Sequence, residues 1–173
     1  FMTEMACEAT LMAQDDWFLG FITEGPTLAL DSGRLTLTSP DASLVFIDRE
    51  AAVPDRALLG STWTVDTFVE GAGASGTASA INVAVAPTVV FGEDGTVEVF
   101  TGCNSGSGGF VVEGTTLSLG PIGYTRMACS DESQAQVEGY VQEVLNEGAL
   151  SFEIDATRLH LDRGDVGLSA FTD

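Results

Sequence analysis

Apolar and polar residues alternate through most of the chain after residue 57. "LLGSTWTVDTFV" (Leu58–Val69) reads as an opening strand. In "TVVFGEDGTVEVFTGCN" two alternating runs, Thr88–Phe91 and Thr96–Thr101, flank the glycine-bearing turn Gly92–Gly95, which is a hairpin signal. "GGFVVEGTTLSLG" repeats the pattern around Glu113–Gly114. The period then changes. In "SDESQAQVEGYVQEVLNEG", Val137, Tyr140, Val141, Val144 and Leu145 fall on one helical face. Ser130 suits the N-cap, Asp131 and Glu132 suit the positive end of the dipole, and Gly148 is placed to stop the helix. "TRLHLDRGDVGLSAF" closes the run as a final hairpin.

Part of this order occurs earlier in the chain. "TEMAC" (Thr3–Cys7) is a near twin of "TRMAC" (Thr125–Cys129), offset by 129 − 7 = 122. A second apolar helix follows, with Leu11, Trp17, Phe18, Phe21 and Ile22 on its apolar side and Gly25 as its stop. "GRLTLTSPDASLVFI" then matches "TRLHLDRGDVGLSAF", the offset having grown to 157 − 33 = 124. The expected organisation is therefore residues 1–50 as the C-terminal half of a first copy, 51–57 as linker and 58–173 as a complete copy. A lone helix and hairpin cannot cover their own apolar faces. Residues 1–50 are thus expected to be completed by a separate polypeptide segment or a neighbouring molecule, or else to dock on the second domain. Phe1 stands before Met2, so the chain reads as a fragment or a processed product.

Composition narrows the possible partners. Six basic residues, all Arg, against 26 acidic ones give 6 − 26 = −20. That field repels phosphate backbones and anionic headgroups, which argues against nucleic-acid or membrane-surface binding, and it favours a basic protein or cations as partner. Solubility alone is the plainer reading. No stretch has the length of apolar sequence that a spanning helix needs.

Candidate chemistry is sparse. "GAGASG" (Gly71–Gly76) fits a dinucleotide-binding spacing, but no helix opens after it and no βαβ unit surrounds it, so it reads as a surface loop. "GCNSGSGG" (Gly102–Gly109) has no Lys and no following helix; its glycines read as punctuation between strands, with Asn104 bonding nearby backbone. His160 stands alone on the polar side of a strand, without the companions of a triad or metal cluster. One His and no paired Cys spacing argue against zinc, and no calcium-loop pattern is present. The acidic helix faces read as solvated sides. Trp63 and Tyr124 read as packing residues.

"LLGSTW", "TVVFGEDGTV", "TGCNSGSGGF" and "TRMAC", in that order, resemble the META domain, the HslJ-like family. The resemblance spans about Leu58–Phe171 in full and Met2–Ile47 as a half copy. It implies an α+β fold: a curved, mostly antiparallel, partly barrel-like sheet with one helix packed on it per domain, here in tandem. It also implies a bacterial periplasmic, envelope or secreted protein, often a lipoprotein, with no established activity. In such a compartment Cys103 and Cys129 could pair; the alternative is buried thiols acting as apolar filler. Cys7 is then the odd cysteine, and the absence of C-x-x-C argues against redox catalysis. Trp63, Gly102, Asn104, Met127 and Ala128 are expected to be structural motif residues with no catalytic role, and no cofactor is expected. The function expected is a non-catalytic structural or binding module. The alternatives are an enzyme or inhibitor with a site in the groove between the copies, and a cation-linked adhesion module.

Overall fold

In the computed structural model, which describes residues 8–71 and 76–173, the strands after residue 57 form a closed sheet. The chain divides into two units, residues 1–54 and 55–173.

Unit 2 contains β4 (Thr62–Glu70), β5 (Thr77–Ala80), β6 (Thr88–Phe91), β7 (Thr96–Phe100), β8 (Ser105–Glu113), β9 (Thr116–Leu119), β10 (Gly123–Tyr124), α3 (Glu132–Val144), β11 (Gly148–Asp155), β12 (Arg158–Asp162) and β13 (Val166–Phe171). Unit 1 contains α1 (Ala9–Thr23), β1 (Thr27–Asp31), β2 (Arg34–Thr38), β3 (Ser43–Ile47) and the short α2 (Arg49–Ala52), which lies across the start of the expected linker.

The large sheet runs β8-β7-β6-β4-β13-β12-β11-β9 and closes where β9 pairs again with β8, an eight-stranded antiparallel barrel. Alternation drives the inward face: Trp63, Val65, Val89, Phe91, Val97, Val99, Leu117, Leu119, Leu150, Leu159, Leu161, Leu168 and Ala170 are buried together. Val137, Val141 and Val144 of α3, with Leu145 at its C-cap, join the same core, so the helix lies on the barrel by the face its spacing predicts.

Two nine-residue strands each serve two neighbours along one edge. β4 pairs with β6 over Thr62–Thr64 and with β5 over Thr67–Glu70, while its other edge follows β13 from Thr64 to Glu70. Asp66 is the extra residue of a bulge opposite Ser169/Ala170, and it shifts the inward positions from Trp63 and Val65 to Phe68. Its carboxylate accepts from Arg158 Nη2 at 2.7 and 2.9 Å.

β8 pairs with β7 over Ser105–Gly109, and on its other edge with β10 and then β9. This corrects the reading of Gly106, Gly108 and Gly109 as inter-strand punctuation, because they lie inside β8. A Cβ on Gly106 would come within 2.5 Å of the Tyr124 ring, and one on Gly108 within 2.8 Å of the Pro121 carbonyl oxygen. The glycines are empty places over which Ile122 and Tyr124 lie against the core. Gly102, in the turn before β8, has φ +89° and does act as a turn glycine.

Other local expectations shift by a few residues. The α3 N-cap is Asp131, not Ser130, with its carboxylate accepting from Gln134 N at 2.9 Å. Gly148 opens β11 at φ +120° instead of stopping the helix. The orphan carbonyls of the helix end are met by Arg163, whose guanidinium donates to Val144 O at 2.7 Å and also to Asn146 O and Glu147 O. Each unit ends in three strands where a hairpin was expected, since β1 and β11 precede the predicted pairs.

In unit 1 the strands form a three-stranded antiparallel sheet in the order β1-β2-β3. Trp17 and Phe21 stack within α1 at a centroid distance of 5.7 Å. Among the described residues no further strand joins this sheet, and the apolar side of α1, expected to be packed, buries only Phe21.

The glycine gaps of β8 give a direct test. Gly108→Ala should destabilise unit 2 by about 1–3 kcal/mol through overpacking, whereas Gly123→Ala, whose Cβ would meet nothing within 4 Å, should be close to neutral. Urea unfolding of both variants measures the difference.

Candidate functional site

The two motifs nearest to chemistry, "TGCN" and "TRMAC", are 26 residues apart at their cysteines and meet in space. The first occupies the tight turn from β7 to β8. The second is the extended segment between β10 and α3. Cys103 and Cys129 are joined by a disulfide with Cα atoms 5.4 Å apart. Cys7 lies outside the described residues, as do residues 72–75 of "GAGASG".

Asn104 is at the centre of the junction and is 2 % exposed. Its Oδ1 accepts from Thr125 Oγ1 at 2.8 Å and from Met127 N at 2.7 Å. Its Nδ2 donates to Met127 O at 3.0 Å and to Glu138 Oε1 at 2.9 Å. The amide thus uses both lone pairs and both protons, which is its full hydrogen-bonding capacity. The sequence reading gave Asn104 a bond to local turn backbone; the partners instead lie 21 to 34 residues away.

Thr101 closes the turn on itself. Its hydroxyl oxygen accepts from Asn104 N at 2.9 Å and stands 3.3 Å from Glu138 Oε1. Gln134 reaches down from the first turn of α3 and donates from Nε2 to Gly102 O at 2.6 Å. The same glycine admits no side chain, since a Cβ there would lie 2.7 Å from Val85 O.

Glu138, one turn further along α3, is the residue the sequence reading missed. In sequence it belongs to an acidic helix face that reads as solvated. Its Oε1 also accepts from Gln142 Nε2 at 3.1 Å, and its Oε2 lies 3.0 Å from Cys129 Sγ. Cys103, Cys129 and Glu138 place their ligand-type atoms within 4.8 Å of one another. The two sulfurs are bonded to each other and so are not thiolates, the form that ligates a metal. Disulfide and hydrogen bonds together join the β7–β8 turn, the segment before α3 and α3 itself as a clasp.

A cleft of about 820 Å³ adjoins the clasp, lined by Asn104, Tyr124, Arg126, Met127, Glu138 and Gln142 among others. Met127 is among its exposed residues. Tyr124 is half-buried, and its hydroxyl has no hydrogen-bond partner among the described residues. Burial and, secondarily, the Glu138 carboxylate push that hydroxyl up to about 12. Ala128 also lines the cleft. Trp63 is far into the core, fully buried, with its indole N–H donating to Leu58 O at 3.2 Å.

His160 is exposed on the outer face of β12, as read, but it is not alone: its Nδ1 lies 2.7 Å from Ser169 Oγ on the adjacent strand. The register that sets His160 opposite Ser169 also sets it opposite Glu153. Nothing in sequence spacing brings these three together, because sheet register does it. Among the described residues no helix is long and apolar enough to cross a membrane.

Three measurements follow from this geometry. Asn104→Ala removes the four hydrogen bonds above and a weaker one from Nδ2 to Cys103 Sγ at 3.5 Å, leaving partners unpaired, so a loss on the order of 2–3 kcal/mol is expected in urea unfolding. Reduction of the disulfide, which closes a 26-residue separation, should cost about 3.5 kcal/mol on the chain-entropy relation. The fold favours the neutral Tyr124 phenol, so its contribution to stability is whole below the ordinary tyrosine value near 10 and is lost as pH rises through about 12. Tyr124→Phe should therefore lose less stability than the parent between those limits while matching it at neutral pH; urea midpoints across the alkaline range report this.

Comparison with known proteins places the fold in context. No curated protein matches the chain. A solved structure titled as the NMR structure of a protein from Burkholderia xenovorans is 24 % identical, covers 79 % of this chain and 97 % of its own, and superposes with a TM-score of 0.53, a likeness of fold. A second NMR structure is 21 % identical, covers 62 % of this chain and 88 % of its own, with a TM-score of 0.45. The META domain model matches residues 1–51 and 56–172. With the barrel, its packed helix and the motif junction all in place, the chain belongs to the META domain family.

Proposed function

We propose that the chain is a non-catalytic structural or binding module of a bacterial envelope or secreted protein, built from one complete META domain preceded by the back half of another. The observation that carries the non-catalytic reading is the saturation of Asn104. The side chain with the most polar capacity in the motifs spends all of it on Thr125, Met127 and Glu138, leaving none to hold or activate a substrate. Gly102, Cys103, Met127, Ala128 and Cys129 serve the same junction, pinning the β7–β8 turn to the start of α3.

The disulfide supports an oxidising compartment, because cytosolic thiols are kept reduced. Within unit 2 the concavity beside the clasp is the natural binding surface, and the net charge of −20 favours a basic partner over an anionic one. The half-copy reading of unit 1 is supported by the two sequence matches and by the shared three-strand arrangement at the end of each unit.

The test is fractionation of bacteria expressing this sequence, followed by alkylation without reduction and intact-mass measurement. The material outside the cytoplasm should carry Cys103 and Cys129 unmodified, becoming heavier by two hydrogens on reduction. Recovery in the cytosol with both residues alkylated would refute the compartment. An Asn104→Ala protein that stays as stable as the parent would refute the structural role of the motif.

A further inference from the structure

The three strands of unit 1 and the last three of unit 2 are one substructure in two different surroundings. The offset of 158 − 34 = 124 carries the register across intact. Leu159 faces Ala170 as Leu35 faces Phe46, and Leu161 faces Leu168 as Leu37 faces Leu44. Ile154 faces Leu159 as Leu30 faces Leu35.

What surrounds them differs. In unit 2, β13 pairs onward with β4 and β11 pairs onward with β9, and the inward residues Leu159, Leu161, Leu168 and Ala170 are at most 2 % exposed. In unit 1, β3 and β1 are the ends of the sheet among the described residues. Phe46, the counterpart of Ala170, is 47 % exposed, and Leu28 and Leu30, the counterparts of the half-buried Phe152 and Ile154, are 66 and 77 % exposed. Leu35 and Leu44 are half-buried, and Leu37 is buried. Two unpaired edges beside an apolar face that stays exposed at Leu28, Leu30 and Phe46 form a template for strand addition.

We propose that unit 1 is a docking site for the front half of a META barrel: a run of strands in the order of β4 to β9, supplied by polypeptide outside these 173 residues. The inference rests on the half-copy reading and specifies its partner, because unit 2 shows what covers this face and in which direction. A β4-like strand adds antiparallel to β3 and a β9-like strand adds antiparallel to β1. Transferred by the same offset, the β13–β4 register puts the donor's Phe68 counterpart opposite Leu44 and its Val65 counterpart opposite Phe46. Phe46 is much larger than Ala170, so the donor should carry a small residue at the Val65 position.

The probe is the chain's own front half. By the offset 125 − 3 = 122, residues 58–122 are fused ahead of Phe1, in parallel versions with the donor's Val65 retained and with donor Val65→Ala. The unmodified chain has 3 − 2 = 1 cysteine outside the disulfide, namely Cys7. In the fusion, the donor's Cys103 should pair with Cys7, taking the free-thiol count from one to zero. Amide exchange should slow at β1 and β3, and acrylamide quenching of Trp17, 51 % exposed in the unmodified chain, should fall. The Val65→Ala donor should give the larger change.

If neither fusion protects β1 or β3 and Cys7 stays open to alkylation, while unit 2 keeps its own disulfide, the docking proposal is overturned. An unmodified chain that is dimeric with both edges already protected overturns it too, in favour of a second copy as occupant. Failure of the half-copy reading is distinguishable, because the inner β1–β2 and β2–β3 ladders would then exchange at open-chain rates in every version.

Discussion

The seating of residues 121–124 on the barrel depends on a steric allowance in β8. The strand has to pair with β7 on one edge and with β9 and β10 on the other, while Ile122 and Tyr124 lie over its inward face. Gly106 and Gly108 make that approach possible, since a side chain at either would overlap Tyr124, or Ile122 and Pro121. Without closure, β8 and β9 would be open edges of a strongly curved sheet, and the residues on its concave side would face water. The bulge at Asp66 makes the complementary adjustment in β4, moving the inward positions by one residue where its neighbour changes from β6 to β5.

The clasp around Asn104 acts on what the barrel leaves loose. The segment between β10 and α3 has no ladder partners of its own beyond Thr125, whose N–H donates to Ser105 O at 2.9 Å. Its order comes from the Asn104 side chain and from the disulfide, which hold Met127 and Cys129 against the β7–β8 turn. Glu138 and Gln134 bring α3 into the same junction, so the helix is fixed at its first turns by polar contacts and along its length by apolar ones. A buried polar network of this kind specifies one arrangement because any other leaves its members unpaired.

The comparison of the two units separates a local fold from its surroundings. The same cross-strand partners form in both, because alternation and the connecting turns set the register of a meander by themselves. Burial does not follow. Ala170 is sealed inside a barrel, while Phe46, its counterpart in the equivalent sheet, is 47 % exposed. Inward orientation is a property of the strand; being inside depends on the staves on either side.

The hairpins around Gly92–Gly95 and Glu113–Gly114, the apolar face of α3 and the family motifs were legible because each is a pattern within a dozen or so residues. The strand "GALSFEID" was not separated from its neighbourhood, since a half-polar run beside a helix end carries little periodic signal. The glycines of β8 were misread because a missing side chain has meaning only relative to the segment that passes over it. Glu138 sits on a helix with many carboxylates, and only the position of the β7–β8 turn distinguishes it from the solvated ones. His160 and Ser169 are nine residues apart and become neighbours through register alone. Sequence by itself determined which residues alternate, where the chain turns and which cysteines were available to pair. Tertiary structure decided closure, the partners of Asn104 and the exposure of each strand face, because those depend on distances between segments that no local pattern encodes.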